Sequence, residues 1–152
     1  MTLQQIMASE NIILDMEVTD KNQALNKLAT ALDKSGRLHS LKGFMVDVKK
    51  RESIESTNME MGVAIPHSKC EAIAVSSVAM ARLKEPIDWE DGGSLVKYVF
   101  LLAVSPEDDG ITHLEVISKI AELLIEESFL SLLSTAIDGM TIITYIQNYM
   151  AQ

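Results

Sequence analysis

Between Val96 and Val104 the chain reads Val-Lys-Tyr-Val-Phe-Leu-Leu-Ala-Val, apolar at almost every position. A short run of this kind is a strand, and a strand without a polar face has to be covered on both sides. That requirement calls for apolar helix faces above and below a sheet. The sequence supplies them before and after the strands. Asp20 caps a first helix, with Gln23 as the other half of a capping box; Ala24, Leu25, Leu28, Ala29 and Leu32 form its apolar stripe and Gly36 ends it. A second helix spans about Leu41 to Arg51, with Leu41, Phe44, Met45 and Val48 on one face. Beyond the buried strand, Thr112 and Glu115 form another capping box, and Leu114, Ile117, Ile120, Ala121 and Leu124 give a stripe. A shorter helix holds Phe129 to Ile137, and a last one runs from about Thr141 to Tyr149 with Ile142, Ile143, Ile146 and Tyr149 inward.

The remaining strands are Ile12-Ile13-Leu14, Gly62–Ile65 and Val75 to Leu83, the last made polar at its far end by Arg82 and Lys84. Pro86, Trp89 and Gly92-Gly93 form the connection to the buried strand. Helices on either side of a group of strands make an α/β domain of three layers, with helices on both faces of the sheet. The 152 residues contain no repeat, low-complexity tract or Pro/Gly/Ser-rich linker, so residues 1–152 are expected to form one domain.

Chemistry concentrates around Gly62-Val63-Ala64-Ile65-Pro66-His67-Ser68. Pro66 lacks an N–H and pushes Ile65 into an extended conformation, so the strand is expected to stop there. His67 then sits where a strand gives way to a loop, a position from which an imidazole can attack, carry or pass on a charged group near neutral pH. His113, following the candidate cap Thr112, opens a long helix, where the N-terminal dipole favours a neutral ring and free N–H groups offer an anion seat. Arg51 closes the second helix; it either complements that helix's C-terminus or serves as a fork for a phosphoryl group. His39, in Arg37-Leu38-His39-Ser40, reads as a solvated joint between helices.

Other chemistries find little footing. His67, Cys70 and His113 supply at most three metal ligands without any Cys-x-x-Cys or His-x-x-x-His pair, so no metal is expected. No Gly-x-Ser-x-Gly, Gly-x-Gly-x-x-Gly or Walker loop occurs, so acyl transfer and dinucleotide or ATP binding are not indicated and no cofactor is expected. The net charge of −9 argues against nucleic-acid or anionic-membrane partners and fits a basic protein partner. A single cysteine excludes an intrachain disulfide and fits a reducing compartment. Without a visible leader or a long apolar stretch, a soluble cytoplasmic protein is expected. A phosphoryl carrier needs little beyond a nucleophilic ring nitrogen and an anion seat, and it is the reading these residues favour.

Arg51-Glu52-Ser53 with Ser56-Thr57, then Gly62 to Ser68, resembles the active-site region of the fructose/mannitol-type enzyme IIA domains of the bacterial sugar phosphotransferase system; the nitrogen-regulatory IIA protein shares the pattern. Pro86-Ile87-Asp88-Trp89, Val99 to Val104 and Thr112-His113-Leu114 extend the resemblance over roughly Leu14 to Tyr149. It implies a mixed sheet flanked by helices on both faces. It also implies that His67 accepts a phosphoryl group from the carrier HPr and passes it to an enzyme IIB component serving a membrane sugar permease. Alternatively the chain is a regulatory, nitrogen-type protein acting through phosphorylation-dependent contacts. His113 and Arg51 would help hold the phosphoryl group, with Thr57 and Ser68 as further hydrogen-bonding candidates. Met61 stands where the family often has a polar residue, so a hydrogen bond from that side chain is expected to be missing unless Glu60 supplies it; Asn58 and Glu60 stand where the family often has glycine, so this loop is expected to follow a different path.

Overall fold

The computed structural model of the chain describes residues 3–108 and 113–151, apart from the side chains of Gln4 and His113. Its strands are β1 (Met7–Met16), β2 (Val63–Ala64), β3 (His67–Lys69), β4 (Ser77–Asp88) and β5 (Leu95–Val104). They form one mixed sheet in the order β1-β4-β5-β2, with β3 also pairing with β5. β5 runs antiparallel to β4 and parallel to β2 and β3, and β1 runs parallel to β4. The apolar run predicted from sequence is therefore an inner strand with partners on both edges. The described helices are α1 (Leu3–Ile6), α2 (Lys21–Lys34), α3 (Leu41–Ile54), α4 (His113–Ile125), α5 (Glu127–Thr135) and α6 (Gly139–Met150).

Strand side chains alternate between two cores, as the period of two requires. Val78, Met80, Phe100, Leu102 and Val104 join Val116, Ile120, Phe129, Ile142 and Ile146 on the α4–α6 side. Ala79, Ala81, Leu83, Val99, Leu101 and Ala103 join Leu25, Leu28, Phe44, Val48 and Trp89 on the α2–α3 side. Both layers of the expected sandwich are present.

Local signals hold where they are self-contained. The Asp20 carboxylate accepts the Gln23 N–H at 2.9 Å, and the Gln23 side chain accepts the Thr19 N–H at 2.9 Å, one residue earlier than a standard capping box. Gly36 adopts φ +77°, and Arg37 N–H reaches back to Leu32 O at 2.9 Å, closing α2 with a Schellman turn. The expected cap Thr112 lies outside the described residues.

Three expectations are corrected. β4 does not end at Leu83 but runs on through Pro86, which is accommodated because the β4–β5 register shifts between Arg82 and Ile87. Leu114 is 78% exposed; α4 packs instead through Val116, Ile120, Leu123 and Leu124. That helix carries apolar residues nearly all round, so periodicity alone does not choose its inner face. Finally, Pro66 interrupts the edge strand without ending it. Val63 lies opposite Tyr98 and His67 opposite Leu102, the same register on both sides of the proline, and the Pro66 carbonyl still accepts the Leu102 N–H at 2.9 Å. His67 stands on a strand, not at the mouth of a loop.

Candidate active site

Pairing with β5 fixes the backbone of His67. The ring is oriented by its own strand: Nδ1 lies 3.0 Å from the Ile65 carbonyl oxygen. A carbonyl only accepts, so Nδ1 carries the proton and the lone pair of the neutral ring sits on Nε2. The half-buried ring lines an open depression of about 400 Å³, shared with Arg51, Ile54, Ser56, Thr57, Ile65 and Ile117. A larger depression of about 540 Å³, bordered by Glu10, Lys27 and Lys34, holds no histidine.

Arg51, from the last turn of α3, lines this depression. Its Nε–H donates to Asp47 Oδ2 at 2.9 Å, one turn back. The same carboxylate oxygen accepts a short hydrogen bond from the Ser68 hydroxyl. Ser68 is fully buried and, by strand alternation, faces the α3 layer while His67 faces the other way. Burial pushes the Asp47 carboxyl upward, but the Ser68 hydroxyl and the Arg51 guanidinium outweigh it and hold the group below its usual value.

The loop from Glu55 to Gly62 closes one wall. Met59 N–H bonds to Val63 O at 2.8 Å and Ile65 N–H to Thr57 O at 3.1 Å, so the loop folds back against β2. Glu60 and Gly62 turn it with φ +61° and +78°. Glu60 thus adopts the left-handed backbone that glycine favours, and the loop turns without the glycine. The wall is pinned from below by Glu52, 5% exposed, whose carboxylate accepts Thr57 N–H at 3.3 Å, Trp89 Nε1–H at 3.2 Å and a short bond from the Thr57 hydroxyl.

Of the residues singled out from sequence, His67, Arg51 and Thr57 converge on the depression. His113 opens α4, one turn before Ile117, and its side chain lies outside the described residues. The hydroxyl protons of Thr57 and Ser68 are given to Glu52 and Asp47, which makes them supports of the site instead of direct hydrogen-bond donors to a phosphoryl group. Ser56, overlooked as a site residue, lines the cavity; among the described residues its hydroxyl accepts the Asn58 N–H at 3.3 Å and makes no donated bond. His39 is exposed between α2 and α3, and Cys70 Sγ lies 3.3 Å from Ser68 Oγ, whose proton is already given to Asp47. Asp47 and Glu52 were also missed. Asp47 sits four residues before Arg51, and Glu52 continues the Phe44/Val48 stripe at helical spacing, so both left a trace in the sequence.

Residues 5–149 match the family model for the phosphoenolpyruvate-dependent sugar phosphotransferase system, EIIA 2. The chain belongs to this family of phosphotransferases. The multiphosphoryl transfer protein of Shigella flexneri is 34% identical over 142 residues, which cover 93% of this chain and 17% of that protein. The chain spans about a fifth of the length of the curated relatives it matches, between 17% and 21%. Among solved structures, the nitrogen regulatory protein IIA-Ntr of Neisseria meningitidis superimposes with a TM-score of 0.82 at 28% identity, covering 94% of this chain and 97% of that one. The mannitol IIA of Escherichia coli, solved in complex with phosphorylated IIB, shares the EIIA fold with a TM-score of 0.77 at 19% identity, covering 93% and 96%. Among the described residues of this EIIA chain no helix is long and apolar enough to cross a membrane.

Proposed function

We propose that this EIIA chain is a cytoplasmic phosphoryl carrier and that His67 is the residue that carries the group. The observation behind the proposal is the Nδ1–H···O=C bond to Ile65, which aims the nucleophilic character of the ring at Nε2 on the wall of a cavity shared with Arg51. Nε2 attacks the phosphorus of the phosphohistidine on HPr in line. The donor P–N bond breaks as the Nε2–P bond forms, and the donor imidazole recovers its electron pair. The His67 ring is then cationic, with its Nδ1 proton still held by Ile65. Arg51 Nη–H groups and the Ser56 hydroxyl donate to the equatorial oxygens. His113, placed at the start of α4, is assigned the same task on the family resemblance. The group passes by the reverse chemistry to an enzyme IIB component of a fructose- or mannitol-class sugar permease. The IIA–IIB complex of the mannitol protein supports that acceptor. The likeness to IIA-Ntr favours one second reading, in which the phosphorylation state of His67 governs binding to a regulatory partner.

The test is incubation with enzyme I, HPr and phosphoenolpyruvate, followed by intact mass measurement under non-acidic conditions. Wild type is expected to gain one phosphoryl group and His67→Ala none. An unmodified wild-type protein would overturn the carrier function, and a phosphorylated His67→Ala would move the site elsewhere. Addition of a fructose- or mannitol-class IIB should discharge the group; retention of the phosphate would favour the regulatory reading.

A further inference from the structure

The carrier reading gives Arg51 a task but leaves unexplained why its guanidinium is tied to an acid. An exposed ion pair one helical turn apart adds little to stability, and a carboxylate beside a phosphoryl-binding arginine opposes the binding of an anion. Yet Asp47 is more than a surface partner. Its Oδ2 accepts both Arg51 Nε–H at 2.9 Å and the hydroxyl of Ser68, which is fully buried and adjacent to His67 on β3. One oxygen atom thereby links the end of α3 to the strand that carries the nucleophile.

We infer that Asp47 is a positioning residue for phosphoryl transfer: anchored through Ser68 to the histidine strand, it fixes Arg51 by Nε and offsets part of its charge, so that the phosphoryl group on His67 is bound but remains transferable. The inference rests on the assignment of His67 and Arg51 above. Guanidinium geometry supplies the reason. With Nε–H committed to Asp47, the four Nη–H donors are left for the cavity, as a planar edge suited to two phosphoryl oxygens. The strand below sets where that edge lies, because Ser68 moves with His67. A carrier also has to release its load. An arginine of undiminished charge next to the Nε2–P bond would stabilise the loaded state and slow departure, and Asp47 limits that stabilisation.

Two variants separate the two tasks. Asp47→Ala removes the anchor, and loading of His67 by phospho-HPr or by the small donor phosphoramidate should slow about tenfold, the loss typical of a misplaced charged hydrogen bond. Asp47→Asn keeps an oxygen acceptor for Arg51 and Ser68 while deleting the charge. It should load at close to the wild-type rate but lose its phosphoryl group more slowly, both to IIB and to water. In an Arg51→Ala background, Asp47→Ala should change loading no further, whereas a merely structural effect would multiply with it. Equal loading of Asp47→Ala and wild type, or independent effects in the double variant, would overturn the inference alone. So would an Asp47→Asn phosphoprotein that discharges at the wild-type rate. Failure of wild type to load from either donor would overturn the carrier reading, and this inference with it.

Discussion

At the scale of single residues, the site depends on which hydrogens are already spoken for. In His67 the Ile65 carbonyl takes the Nδ1 proton, which leaves the lone pair of the neutral ring on Nε2. Thr57 and Ser68 look like phosphoryl donors in sequence but give their protons to carboxylates. Glu52 shows how much one such acceptor holds. It lies 5% exposed without a cationic partner among the described residues and serves the Thr57 N–H and O–H and the Trp89 indole. Replacing it by alanine strands these donors in a poorly solvated place, and a loss of about 2–4 kcal/mol is expected from chemical denaturation. Glu52→Gln restores an acceptor oxygen and should recover part of that loss. Equal stability of Glu52→Ala and wild type would mean that water replaces the carboxylate there.

At the scale of elements, a comparable task falls to Arg82 in β4. Its guanidinium is bidentate to Asp15 at 3.1 Å and caps the C-terminal end of α5 through the carbonyls of Leu133 at 3.1 Å and Ala136 at 2.7 Å. Asp15 reaches it from a left-handed turn, φ +56°, where β1 slips its register between Ile13 and Met16. The polar end assigned to this strand in sequence is thus partly an interior joint: Lys84 is exposed, but Arg82 is only 8% exposed. Arg82→Met keeps most of the apolar stem and orphans two buried carbonyls, so a destabilisation of about 2–3 kcal/mol is expected, read as a lowered denaturant midpoint. A neutral result would show that α5 docks by its apolar contacts alone. The Arg82 joint was not legible beforehand, because its partners lie 51, 54 and 67 residues away in sequence, and of the Glu52 contacts the one to Trp89, 37 residues away, was equally hidden.

At the scale of the whole molecule, the net charge of −9 conceals a division. Residues 20–54, which contain α2 and α3, carry eight basic and four acidic side chains, whereas residues 105–152 carry one basic and eight acidic. The layer bearing Arg51 is therefore locally positive on an acidic protein, which suits a site for an anionic group better than the total charge suggested. The acids are also tied to folding. Hydrogen bonds from Arg82, Lys84 and Thr141 hold Asp15, Glu17 and Asp138 below their usual values of 3.8, 4.5 and 3.8, and Asp47 ends below 3.8 despite its burial. A carboxylate depressed in the fold binds fewer protons there than in the unfolded chain. Its contribution is complete above the unfolded value and disappears as pH falls through the folded one. Lys84, raised above 10.5 by Glu17, behaves in the opposite sense: its share is present below 10.5 and lost as pH climbs past the raised value. Urea midpoints are expected to be level across about pH 6 to 8 and to fall on acidification below about 4. A midpoint that rises on acidification would contradict these assignments.

What the sequence settled by itself was encoded within a turn or two of chain. The Asp20 cap, the Gly36 stop, the stripes of α2 and α3 and the unbroken apolarity of β5 are local signals that tertiary packing had no reason to override. The motif around His67 and the family it marks are local in the same sense. Tertiary structure decided the strand order, the inner face of α4, the passage of an edge strand through Pro66 and the partners of Arg82. Each of these depends on which surfaces meet across the sheet, and a linear sequence does not carry those distances. In sequence only the family resemblance joined Arg51 to His67; the fold tied Arg51 to the strand of His67 through an aspartate on α3 and a serine on the opposite face of β3.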